Sequence, residues 1–208
     1  MRKLDVVGLH ERFFIDKGFV LQSSKMLFEK VFPHGKQVVF IHFSEAPEAN
    51  HLEYFFGVRI NEVEELIHSY LPTPQHYAEN SLTLVQPLDK LGSDFPEKFI
   101  VTNKEDLSSV VSQVENYFMK TGFSWLDQMI QPSGLEKEIL KSTTNPLESE
   151  NLVYTAFRST ALSKLYNPGD YQFLRNGFLA QMNYEQMTPF TIAAFLQFID
   201  YLDHLNIA

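Results

Sequence analysis

The stretch His51-Leu52-Glu53-Tyr54-Phe55-Phe56-Gly57-Val58-Arg59-Ile60 decides the fold class. Side chains of an extended chain alternate between two faces. Leu52, Tyr54, Phe56, Val58 and Ile60 therefore share one face, and His51, Glu53, Phe55, Gly57 and Arg59 the other. Strict period two with a polar opposite face predicts a strand with one buried side and one partly wet side. Upstream, the run Val38-Val39-Phe40-Ile41 within Gln37 to Phe43 predicts a central strand covered on both faces. Pro33-His34-Gly35-Lys36 is a turn that joins it to a short aromatic strand, Met26 to Phe32. Before these, residues 4–17 have helical spacing and stop at Gly18. Downstream, Asn61 is placed to cap a helix from Glu62 to Leu71, which Pro72 and Pro74 end. Ser81 to Leu88 predicts a strand that Pro87 confines to an edge, and Phe99 to Val101 one more.

Thr102-x-x-Glu105 reads as a capping box. The stripe Leu107, Val110, Val111, Val114, Tyr117 and Phe118 follows it, with Gly122 as its stop. Ser124 to Ile130 and Leu135 to Lys141 predict two short helices. Asn145-Pro146 and Thr188-Pro189 each set a capping side chain before Pro at the first helical position. Asn167-Pro168-Gly169-Asp170 reads instead as a turn with Asp170 as the cap. Three helices follow. One carries Val153, Ala156, Phe157, Ala161 and Leu165, the next Tyr171, Leu174, Phe178 and Met182. The last carries Ile192, Phe195, Leu196, Ile199 and Leu202, with Phe190, Ala193, Ala194, Phe198 and Tyr201 beside that stripe. A surface helix shows one apolar stripe, so this last helix is expected to be covered on both sides by the rest of its own chain, with a second copy of the chain as the alternative. The fold class is thus α+β. An antiparallel sheet of four to five strands with flanking helices occupies residues 1–130, and a small helical bundle, residues 131–208, packs on it.

The bulk numbers exclude several classes of function. The chain has 208 residues, a net charge of -9 and no cysteine. Thiolate metal sites, disulfide scaffolds and cysteine nucleophiles are therefore absent. The start Met1-Arg2-Lys3-Leu4-Asp5, broken further by His10 and Glu11, does not read as a secretory signal, and no apolar run approaches a membrane span. A cytoplasmic location is expected, with no membrane partner. The five Arg are scattered, and the second half carries 6 basic against 12 acidic side chains. Nucleic-acid binding, which clustered Lys and Arg drive, is not expected. No glycine-rich phosphate cradle, nucleophile elbow or H-E-x-x-H pattern occurs. No cofactor and no tightly held metal are expected.

Four groups of residues carry whatever chemistry remains. His42, Glu45, His51 and Glu53 place two imidazoles and two carboxylates at the adjoining ends of two strands. Such a set can hold a divalent metal or act as an acid–base pair, although polar residues at loop ends ordinarily just face water. Glu53, Phe55 and Arg59 give the wetter strand face an acid, an aromatic and a base that suit a small ligand. Trp125 is a partner anchor or a core plug. Tyr154, Arg158, Tyr166, Tyr171, Arg175 and Tyr184 give the helical region the Tyr and Arg content of an interface.

A helix, then Gly18-Phe19, an aromatic strand meander and the Asn61-Glu62-Val63-Glu64 helix follow one another over residues 4–71. In this order the segment resembles small uncharacterised bacterial proteins, some of them toxin-immunity and other accessory proteins. The resemblance implies a non-catalytic protein-binding role and transfers no functional residue. The alternatives are a hydrolase or metal-dependent enzyme built on the His42 cluster, and a small-ligand binder on the sheet face.

Overall fold

The structure, a computed structural model, describes residues 3–91, 95–142 and 152–206. Asn145-Pro146, read above as a helix start, lies outside the described residues. Contacts divide the chain into two compact units. The first holds Met1–Arg59 and Leu84–Ile130, the second Ile60–Thr83 and Gln131–Ala208. The segment between residues 60 and 83, which the sequence reading sets in the N-terminal domain, groups with the C-terminal helices.

The first unit is an antiparallel sheet with helices. Helix α1 (Lys3–Ile15) leads into β1 (Val20–Gln22), β2 (Leu27–Phe32), β3 (Gly35–Glu45) and β4 (Asn50–Ile60). After an excursion into the second unit the chain returns as β5 (Leu84–Pro87), which ends the path β1-β2-β3-β4-β5. A later strand of three residues, Phe99–Val101, also pairs with β4. β4 thus has β3 along one edge. Along the other it meets β5 at Phe55 to Val58 and Phe99–Val101 at Asn50 to Leu52. The sheet has six strands, and the extra one is β1, whose three residues are too few to show a period.

The alternation of β4 does what its sequence implies. Leu52, Tyr54, Phe56 and Val58 are buried, while His51, Glu53 and Phe55 are half-buried. Phe56 lies in an aromatic cluster with Phe118, Tyr117 and Trp125, and Phe118 continues it to Phe14, which meets Phe28 of β2. α1 supplies Val6, Val7 and Phe14 to this core. The short helix α2 (Asn61–His68) starts where β4 stops, so its cap position falls on Ile60. Asn61 is therefore the first helical residue rather than the cap. The chain then forms α3 (Gln75–Asn80) and, after β5, the single turn α4 (Leu88–Leu91). The three-residue strand named above is β6.

Two further sequence expectations shift. Helix α5 (Lys104–Tyr117) is capped by Asn103, whose side chain accepts from the N–H groups of Glu105 and Asp106. Asp106 reaches back to the N–H and hydroxyl of Thr102. The box has moved one residue along, because Asn103 is as good a cap as Thr102 and sets Asp106 at the third helical position. Gly122 does not stop this helix. The chain passes through a π turn, Phe118–Gly122, straight into α6 (Phe123–Met129). A Cβ at Gly122 would stand 2.7 Å from the Phe118 ring, so the glycine lets that ring lie against the backbone.

The second unit is helical: α2 and α3, then α7 (Pro132–Ser142), α8 (Leu152–Tyr166), α9 (Pro168–Tyr184) and α10 (Pro189–His204). α9 begins at Pro168, so Asp170 lies inside its first turn instead of capping it. The Asn167 amide donates to the Ser133 carbonyl and the Glu136 carboxylate of α7. Thr188 caps α10 as expected. Phe195 and Phe198 of α10 pack on Phe157 of α8, with Ile199 and Leu202 buried beside them. The chain covers only that side of α10. Phe190, Leu196 and Tyr201 stand exposed, contrary to the expectation of cover on both. No helix among the described residues is long and apolar enough to cross a membrane.

Gly57 is packed tightly against the neighbouring strand β5. A Cβ there would lie 2.1 Å from the backbone oxygen of Leu84, so Gly57→Ala must push β5 away or bend β4. Overpacking of this kind costs about 1–3 kcal/mol, and a rigid backbone neighbour sets it at the upper end. At Gly8 of α1 an added Cβ meets nothing within 4 Å. Gly8→Ala should instead stabilise by up to about 1 kcal/mol, since alanine loses less backbone entropy in a helix. Urea unfolding of both variants checks the two signs.

Candidate functional site

The His42 cluster opens only in part. His42 Nδ1 lies 3.7 Å from Glu53 Oε1, and Lys98 Nζ lies 3.3 Å from the same oxygen. Glu45 is exposed at the end of β3. His51 is half-buried, with a buried Nδ1 that has no hydrogen-bond partner. No group of three or more His, Asp or Glu among the described residues is placed to hold a metal ion. Phe55 of the second candidate stacks on Phe40, with ring centroids 5.1 Å apart and planes 10° from parallel. Arg59 is buried. The Trp125 ring meets Phe56 edge-on at 5.2 Å.

Tyr154, Arg158, Tyr171 and Arg175 of the helical region are drawn into two networks of the second unit, while Tyr184 is exposed. Tyr171 is buried, and its hydroxyl donates to Asp203 at 2.8 Å. Arg175 pairs with the other oxygen of that carboxylate at 2.9 Å. Burial, and after it the Asp203 acceptor, push the Tyr171 hydroxyl above its ordinary pKa. Arg158 grips Glu64 of α2 with two bonds, Nε to Oε1 at 2.8 Å and Nη2 to Oε2 at 3.0 Å. His68, one turn on from Glu64, lies 3.5 Å from its Oε2. Its Nε2 is 2.9 Å from the Ser81 hydroxyl and its Nδ1 is 3.0 Å from that of Thr73. Thr73 in turn meets the Tyr154 hydroxyl at 3.3 Å. Burial alone would raise the Glu64 pKa, but the bond to His68 and the charge and bonds of Arg158 outweigh it and hold the group near about 2. Tyr166 donates to Glu62 at 2.8 Å.

The first unit holds a buried polar group that the sequence reading passed over. His10 is fully buried on α1. Its Nδ1 lies 3.0 Å from Glu115 of α5 and its Nε2 2.9 Å from the Tyr54 hydroxyl of β4. Burial lowers the His10 pKa to about 4, so the ring is neutral near pH 7. Nδ1–H then donates to Glu115 and Nε2 accepts from Tyr54. Burial also raises the Glu115 carboxyl and the Tyr54 hydroxyl. The signal was available: His10 sits three and four residues from Val7 and Phe14, on the apolar stripe of α1.

These networks are closed by their own partners except at Arg175 Nε, which is buried without one. A cavity of about 640 Å³ does open in the first unit, between Leu9 of α1, Asn50 of β4 and the start of α5. Its polar lining is amide, hydroxyl and the Lys104 ammonium, and the Asn103 oxygen is already spent on capping. That set can hold a neutral or weakly polar molecule but offers no general base. Comparison with protein-family models, curated proteins and solved structures gave no match for this chain.

Two outcomes test the networks. His10 has a folded pKa of about 4 against 6.5 unfolded. The unfolded chain therefore binds the extra proton first on acidification. The stability due to neutral His10 is complete above pH 6.5 and is lost as pH falls toward 4, about 3 kcal/mol in all. His10→Gln should flatten this part of a urea-stability profile measured between pH 7 and 4. Arg158→Met leaves the fully buried Glu64 carboxylate without its charged partner, with His68 still beside it, and should cost about 3–5 kcal/mol, most of which Glu64→Gln added to it restores.

Proposed function

We propose that this chain is a non-catalytic binding protein for another protein, an accessory role of the immunity-like kind. The observation that carries the reading is the side of the sheet turned away from the aromatic core. Phe28 faces the core through Phe14, so Leu27, Glu29 and Val31 project the other way. The stacked Phe40 and Phe55 share that side. The pairing of β1, β5 and β6 sets Val20 opposite Glu29, Val85 opposite Gly57 and Ile100 opposite His51. Val31 is 71% exposed and Ile100 62%, and Val20 and Val85 are exposed too. A face of aromatic and aliphatic side chains that also carries the pairs Glu53 with Lys98 and Glu29 with Lys36 has the make-up of a protein interface. The buried titratable groups His10, Glu64 and Tyr171, by contrast, are spent on Glu115, Arg158 and Asp203. The net charge of -9 favours a partner whose contact surface is basic.

The test is capture by the tagged full chain from its source cells, run beside a Val31→Lys, Ile100→Lys double variant. Both positions are exposed on the sheet, so circular dichroism should not change. The reading expects one protein held in near-equal amount by the native chain and lost by the double variant. Equal capture by both chains, or a hydrolytic activity that His42→Ala abolishes, would overturn it.

A further inference from the structure

The cavity between α1, β4 and α5 follows from how the two helices meet. His10 of α1 meets Glu115 of α5 and Phe14 meets Phe118, so the helices run side by side in one direction and touch along that length. Two turns before Glu115, on the same face of α5, stands Ser108. It is a short side chain where a longer one would fill the gap, and the cavity of about 640 Å³ opens beside it. Small-molecule sites span about 300–1,000 Å³. Among its lining residues Val101 and Leu107 are buried and Leu9 is 51% exposed, so the apolar wall runs from the interior out to water. A ligand seated there takes the place of the water on Leu9, which favours binding.

The polar lining is mostly committed. The Ser108 hydroxyl donates to the Lys104 carbonyl, and Thr102 donates to Asp106 through its N–H and its hydroxyl. The Asn103 side-chain oxygen takes the N–H groups of Glu105 and Asp106, and its backbone oxygen takes that of Leu107. The start of α5 is sealed by its own cap, so the site does not draw on these N–H groups. Two side chains of the lining, the Asn50 amide and the Lys104 ammonium, have no bonding partner among the described residues. Both offer N–H donors. Charge decides what they take. Lys104 repels a cation. Glu105 and Asp106, beside it in the first turn of α5, oppose an anion, as does the net charge of -9. What suits the pair is a neutral head that accepts hydrogen bonds.

We propose that this cavity binds a small neutral molecule with an apolar body and a hydrogen-bond-accepting carbonyl. The body lies against Leu9, Val101 and Leu107, and the carbonyl oxygen accepts from Lys104 Nζ and the Asn50 amide. The bond from the ammonium is the stronger of the two, because its donor is charged. The site belongs to the first unit alone. Val101 turns to the cavity while its neighbour Ile100 turns to the opposite, exposed side of the sheet. The cavity is therefore separate from that exposed side and does not rest on the function proposed above.

NMR titration of the full chain with three probes of like body is the test. Cyclohexanecarboxamide, cyclohexanecarboxylate and cyclohexylmethylammonium carry a neutral, an anionic and a cationic head. The carboxamide should bind with a Kd of about 1 mM or below, as its few non-hydrogen atoms allow, and shift the methyl signals of Leu9, Val101 and Leu107. The two charged probes should each bind at least about tenfold more weakly. Ser108→Phe fills the cavity and should abolish these shifts with circular dichroism unchanged. Lys104→Met keeps the stem but loses the donor, and should weaken the carboxamide at least about threefold. This second variant also decides the matter if Ser108→Phe fails to fold. Carboxamide shifts scattered outside the cavity, no shift at about 10 mM, a charged probe that binds as tightly, or a titration that ignores both variants would overturn the proposal.

Discussion

The first unit depends on one constraint: β4 must be hydrogen-bonded along both edges while one of its faces is filled with aromatic rings. Its eleven residues are long enough to take β3 on one side and both β5 and β6, end to end, on the other. Tyr54 and Phe56 then set what the helices must supply. Phe118 and Trp125 close on Phe56, and His10 of α1 closes on Tyr54. The Tyr54 hydroxyl needs a partner once it is buried, because an unsatisfied polar group there costs free energy. His10 meets that need and hands its own N–H to Glu115. One strand thereby fixes the positions of two helices, and the polar bonds choose the register in which the apolar faces meet.

The second unit is organised around charge. Glu64 is fully buried on α2, and the fork of Arg158 from α8 holds it from 94 residues away. Desolvation consumes much of what such a pair gains, so its role is to tie α2 to one place on α8 rather than to add much stability. His68, Ser81, Thr73 and Tyr154 extend the tie to the loops around α3. The apolar packing of Phe157 with Phe195 and Phe198 supplies the bulk of the core beside it.

What the sequence shows and what it hides divides along physical lines. Strict alternation made β4 plain, and the stripes from Leu107 to Phe118 and from Tyr171 to Met182 marked α5 and α9 because each is a repeat read within one element. Caps shifted by one residue at Thr102 and Asn61 and by three at Asp170: Asn103 competes with Thr102 for the same position, while Ile60 and Asn167 hold the cap positions of α2 and α9 without a side-chain capping bond. β1 is too short to carry a period. The His10 and Glu64 networks join residues that only folding brings together. Arg175 and Tyr171 were singled out from residue type alone, and their common partner, Asp203, comes from the next helix. Exposure is the least legible property. Leu196 read as buried because it lies in the apolar stripe and Phe190 because it lies beside it, and only the packed helices show which side of α10 meets water.

In both units the His10, Glu64 and Tyr171 groups are bonded to neighbours of their own unit, while large apolar side chains stand in water on the sheet and on α9 and α10. The account holds that this surface is built for contact with protein. Hydroxyl-radical footprinting of the dilute native chain tests it most directly, because it reports side-chain exposure residue by residue. The expected result is strong modification at Val31, Ile100, Phe173, Tyr184 and Phe190, with Phe14, Phe28, Phe56 and Phe118 protected. Protection of the first five at dilutions where the chain is monomeric would contradict it, because the chain would then cover its own apolar surface and leave none for a partner.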